Sequence, residues 1–151
     1  ADPSGADFHD LNGLLTGPTT FLWQRQHWRS IVITYRTSPF FEFYEDDLYT
    51  IFHTEYQSLL ELNKATMDCI FEMLDVDIEY TETEGYQAEY SDDSDYRFLA
   101  NAKRKNRINI PEYRQVFAEE HGFTPHLTVL DLIFNLGPEA LPYLQNLELK
   151  F

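Results

Sequence analysis

One charge inside an apolar run constrains this chain more than any other feature. The stretch LTVLDLIFNLGPEAL, Leu127 to Leu141, is apolar on nearly every side, yet it carries Asp131 close to its start. A helix that is apolar all round belongs inside a protein. An unpaired carboxylate there costs several kcal/mol, so Asp131 must be capped, paired or functional. Thr128-Val-Leu-Asp131 fits a capping box, in which Thr128 bonds the amide of Asp131 and Asp131 reaches back to the amide of Thr128. Aspartate is shorter than the usual Glu or Gln, so the box does not fully account for it. Asn135-Leu-Gly137 then supplies a stop, and Pro138 opens a further helix, PEALPYLQNL.

The rest of the chain supplies what such a helix needs around it. Its 151 residues suit one domain, and twelve Phe and ten Tyr promise a core rich in rings. Residues 1–19 are rich in Gly, Pro, Asp and Thr and are expected to be irregular, with Ala1-Asp2-Pro3 set aside as a cloning remnant. A single domain then spans 20–151. From Thr19 or Thr20, apolar positions Leu22, Trp28, Ile31, Val32 and Tyr35 have helical spacing, which Ser38-Pro39 ends before a bend at Phe40 and Phe41. A longer helix is predicted from Glu45 to Leu74. Val76, Ile78 and Tyr80 alternate with Asp77, Glu79 and Thr81, the period of a strand. An acidic loop, a short helix over Tyr96 to Lys105, and an extended segment from Ile108 leading to a stop at His121-Gly122 complete the reading. The expected fold class is therefore α+β, a predominantly helical domain with a small β-sheet around residues 76–81.

Charge and composition exclude several kinds of function. Lys and Arg number 11 against 26 Asp and Glu, a net charge of -15 that repels nucleic acid and anionic lipid. No apolar run is long enough to span a bilayer, so neither nucleic-acid binding nor membrane insertion is expected. Arg97, Lys103, Arg104, Lys105 and Arg107 form one basic patch beside an acidic stretch, which suits either a phosphate grip or a solvated loop. Cys69, the single cysteine, lies on an apolar helix face and reads as a buried, inert thiol. There is no metal-spaced His, Cys or carboxylate cluster, phosphate-cradling glycine loop or nucleophile elbow. No metal and no cofactor are expected.

Two groups of residues remain as candidates. In WQRQHWR, Trp23 and His27 lie four apart and share one helix face, with Arg25 and Arg29 paired on another. Trp, His and Arg together suit a site that stacks a ring and holds an anion. The alternative is an amphipathic helix whose tryptophans anchor it and whose arginines pair with nearby acids. Asp131 and Asn135 also share a face, and both have a capping explanation. His121 and His126 read as turn and helix-start residues.

These segments, WQRQHWRSIVITYRTSPFFEFYEDD and EYRQVFAEEHGFTPHLTVLDLIFNLGPEALPYL, resemble the WbqC-like protein family of bacteria over about Trp23 to Leu144. The matching residues are Trp23, His27, Tyr35 and Pro39, then Gln115, Gly122, Phe123, Pro125, Asp131, Asn135 and Gly137. Members usually carry an earlier segment with a Tyr-x-Pro motif, expected to form strands and part of any site. The opening twenty residues do not supply it, so the chain is expected to be a fragment whose strand at 76–80 has lost its partners and some of whose apolar surface lies exposed or is covered by another chain. The resemblance implies a cytoplasmic bacterial transferase of a sugar or an amino-acyl or acyl group in surface-polysaccharide synthesis, acting on a sugar or sugar nucleotide. In that role His27 is the expected general base, Asp131 orients it or a substrate hydroxyl, and Trp23, Arg25, Gln115 and Asn135 bind. The alternative is a non-catalytic protein- or glycan-binding module with an exposed aromatic surface at Trp23, Trp28, Phe40 and Phe41.

Overall fold

A computed structural model describes residues 20–85, 95–97 and 109–148 of the chain. The opening segment 1–19 and nearly all of the acidic loop, the helix expected at Tyr96 to Lys105 and the basic patch lie outside the described residues. The helices are α1 Thr20–Tyr35, α2 Phe41–His53, α3 Leu59–Met73, α4 Ala118–His121, α5 Val129–Leu136 and α6 Ala140–Gln145. A 3₁₀ turn, Gly137–Glu139, joins the last two.

Helix α2 is the hub, packing between α1 and α3 and against α5. The reason is its sequence: Phe41, Tyr44, Leu48 and Ile51 recur at three- and four-residue spacing, and all four are buried. They meet Cys69 and Met73 of α3 and Leu132, Ile133 and Phe134 of α5 in one cluster, with Trp28, Ile31, Val32 and Tyr35 of α1 half-buried against it. Phe134 is wholly buried, and its ring centroid lies 5.0 Å from that of Tyr35 and 5.1 Å from that of Phe41. Full burial of Phe41 and Phe134 stabilises the junction of α1, α2 and α5 by about 1.5–3 kcal/mol each, and the half-buried Tyr35 adds less.

The single long helix expected from Glu45 to Leu74 is two. Helix α2 starts earlier, at Phe41, and stops at His53, where Thr54 turns extended and its carbonyl accepts from Nε2 of Gln24 at 2.7 Å. Helix α3 starts afresh with Ser58 as its N-cap, the hydroxyl accepting from the amide of Glu61 at 3.2 Å. The apolar repeat continues across the break, so periodicity alone does not reveal it.

The small β-sheet is absent: among the described residues every regular element is helical. Residues 76–81 form neither strand nor helix. The segment is tied to α3 instead. Tyr80 donates its hydroxyl to Oδ1 of Asp68 at 2.8 Å, its ring contacts Phe71, and Lys64 bridges to Glu82. A period of two selects an extended backbone and does not supply the second strand that a ladder requires.

Candidate functional site

Asp131 is 3% exposed, yet its side chain takes no part in the expected capping box. Thr128 does cap α5, but its hydroxyl accepts from the amide of Leu130, and the amide of Asp131 goes to the carbonyl of Thr128. The carboxylate turns the other way. Its Oδ2 accepts from the hydroxyl of Tyr113 at 2.7 Å and from Nε2 of Gln115 at 3.3 Å. The Tyr35 phenol lies against the same carboxylate, and burial together with that negative charge pushes its pKa up to about 12. Burial and the bond to Asp131 hold the Tyr113 phenol well above its ordinary range as well.

Each partner of Asp131 is itself anchored. Gln115, also buried, clamps the backbone of Thr124 in both directions, donating to its carbonyl at 2.9 Å and accepting from its amide at 2.8 Å. Asn135 donates Nδ2 to the carbonyl of Asp131 at 2.7 Å, one turn back along α5. The ring of Tyr113 stands edge-on to Phe123 and Tyr143. The extended segment before α4 and the loop after it are thus tied to α5 through Asp131 and to α1 through Tyr35. An acceptor enclosed by three donors from two segments serves as a fastening, in keeping with the rule that buried charges are hydrogen-bonded.

His27 is placed elsewhere. It is exposed on α1, with its ring edge-on to Trp23 at 5.4 Å. It lies eight residues before Tyr35, about 12 Å along the helix, which sets it apart from the Asp131 cluster. Two residues separate His27 from Arg25, about 200° around the helix, so those two side chains leave opposite flanks of α1. The six residues singled out by sequence therefore fall into three places: Trp23 with His27, Arg25 alone, and Asp131 with Gln115 and Asn135.

Arg25 belongs to a groove between α1 and α2 with a volume of about 550 Å³, lined by Gln24, Arg25, Trp28, Arg29, Phe52 and His53 among others. Helical spacing puts Arg25 and Arg29 one turn apart on the same wall. In a chain with 26 acids, neither arginine forms an ion pair with a carboxylate among the described residues. Trp28 supplies an aromatic surface, edge-on to Tyr49 at 5.7 Å and to His53 at 6.2 Å. Gln24, 2% exposed, leaves its Oε1 without a hydrogen-bond partner while its amide holds Thr54. Guanidinium groups beside an indole, over a cavity of this size, are suited to an anion attached to a ring.

His53 was not among the expected site residues. It shares the groove because Tyr49 and His53, four apart on α2, stack with centroids 3.6 Å apart and an interplanar angle of 14°. The Tyr-x-x-x-His spacing is the sequence signal for that pair. Tyr35 and Tyr113 were likewise not foreseen as partners of Asp131. Of the aromatics expected to form an exposed surface, Phe41 is buried and Trp23, Trp28 and Phe40 are half-buried. No group of His, Cys, Asp and Glu among the described residues is arranged to hold a metal ion, and no described helix is long and apolar enough to cross a membrane.

The family model of the WbqC-like protein family matches residues 16–107. That segment includes α1, α2 and α3, hence both walls of the groove, and ends before Gln115, Asp131 and Asn135. No curated protein and no solved structure matches the chain.

Proposed function

The chain belongs to the WbqC-like protein family, and from that premise we propose that it binds a phosphorylated sugar in the groove between α1 and α2, as a transferase of bacterial surface-polysaccharide synthesis. The observation that carries this reading is the pair Arg25 and Arg29, one turn apart and without a carboxylate partner among the described residues, flanking Trp28. In a chain with a net charge of -15, two arginines on one wall that pair with no acid among the described residues are available to an incoming anion. Guanidinium groups bind phosphate oxygens through paired N–H donors, and an indole face accepts the apolar side of a sugar or a base.

Asp131 has a positioning part in this proposal. By holding Tyr35 it fixes the C-terminal end of α1, whose earlier turns carry the arginines. The groove lies within the stretch matched by the family model, which supports placing the site there.

The test is calorimetric titration with uridine diphosphate glucose. The wild-type chain is expected to bind it, and Arg25→Ala with Arg29→Ala to weaken binding by about tenfold or more, the scale of a lost charge-assisted hydrogen bond. Equal affinity in wild type and double variant would remove the proposal.

A further inference from the structure

The groove contains one feature that the arginines do not explain, the orientation of the His53 ring. Its Nδ1 lies 2.8 Å from the carbonyl oxygen of Tyr49, one turn earlier on α2. A carbonyl oxygen only accepts, so Nδ1 carries the hydrogen and donates it. In the neutral ring that leaves Nε2 with a free lone pair on the opposite edge, away from the α2 backbone. The stack on Tyr49 and the edge contact with Trp28 hold the plane of the ring in place.

An inventory of the groove gives that lone pair its significance. Arg25 and Arg29 only donate, and so does the indole N–H of Trp28. Gln24 has an acceptor, but its Oε1 is buried. Among the side chains that line the groove, Nε2 of His53 is thus the exposed acceptor. A wall of donors alone would take any anion, whereas an added acceptor rewards a ligand that also offers a hydroxyl.

We propose that His53 is the specificity-determining residue of the α1–α2 groove, its Nε2 accepting a hydrogen bond from a hydroxyl of a sugar whose phosphate is held by Arg25 and Arg29. This rests on the groove being the sugar-phosphate site. The test is calorimetric titration of the full chain with uridine diphosphate glucose and, separately, with inorganic diphosphate. His53→Ala is expected to weaken binding of the sugar nucleotide by about five- to tenfold, the scale of one neutral hydrogen bond, and to leave diphosphate binding within about twofold. His53→Gln, whose amide oxygen accepts, is expected to restore part of the loss. Equal losses for both ligands, or no loss for either, would overturn the role of His53 while leaving the groove as an anion site. Failure of the wild-type chain to bind either ligand would remove the site and this inference together.

Discussion

The hydroxyl of Tyr113 donates to Oδ2 of Asp131 at 2.7 Å, which joins the segment before α4 to the one charged residue of α5. The contact explains why a carboxylate is tolerated in the core. It also makes that carboxylate a structural requirement for the loops it fastens. Replacing Asp131 by Ala leaves the Tyr113 hydroxyl and the Gln115 amide without their acceptor, at a cost of about 2–4 kcal/mol. Urea denaturation of Asp131→Ala measures this, and a loss under about 0.5 kcal/mol would show that the network contributes little.

The two phenols beside Asp131 set an alkaline limit on stability. Unfolded tyrosines lose their proton near pH 10, whereas Tyr35 in the fold keeps its proton to about 12. Across that window the unfolded chain binds fewer protons than the folded one, so stability falls as pH rises, and Tyr113 adds in the same direction. Urea midpoints measured between pH 9 and pH 11.5 are expected to decline. In Asp131→Asn the negative charge is gone and the Tyr35 phenol titrates earlier, which ultraviolet absorbance at alkaline pH detects.

Gly137 is required for two independent reasons. Its φ of 54° and ψ of -124° suit glycine, and a Cβ there would lie 2.5 Å from Cδ1 of Phe40. Phe40 cannot move freely, since its amide donates to the carbonyl of Phe134 at 3.0 Å. Backbone strain alone costs about 1–3 kcal/mol, so Gly137→Ala is expected to lower the unfolding free energy by at least that amount and the denaturation midpoint with it. A midpoint equal to wild type would contradict the close approach of Phe40.

Cys69 is buried beside the sulfur of Met73, and its thiol is pushed up to about 11 by burial and then by Asp47 and Glu72. The thiolate is the reactive form, so a thiol reagent at pH 8 is expected to leave the folded chain unmodified and to react fully in urea. Rapid reaction without denaturant would show that α3 opens readily.

How much of this was legible in the sequence depends on whether the governing interaction is local. The period of α1, the stop at Gly137 and the turn at Gly122 follow from neighbouring residues, and the structure has each of them. The break between α2 and α3 is not marked by Pro or Gly; it is reinforced by Gln24, thirty residues away, which holds the carbonyl of Thr54. The expected strand failed for a similar reason, because its partner proved to be a helix. Asp131 satisfied a local capping pattern, but tertiary donors at Tyr113 and Gln115 claimed its carboxylate. The groove was half visible: Arg25 and Arg29 share a face by spacing, while the opposing His53 comes from another helix whose packing the spacing does not encode.

The most direct test of the account is a nuclear magnetic resonance titration of the labelled chain with uridine diphosphate glucose. Shifts are expected at the side chains of Arg25, Trp28, Arg29 and His53, and they are expected to vanish in the Arg25→Ala, Arg29→Ala double variant. An unchanged spectrum, or shifts centred on Trp23 and His27 or on the surroundings of Asp131, would contradict it.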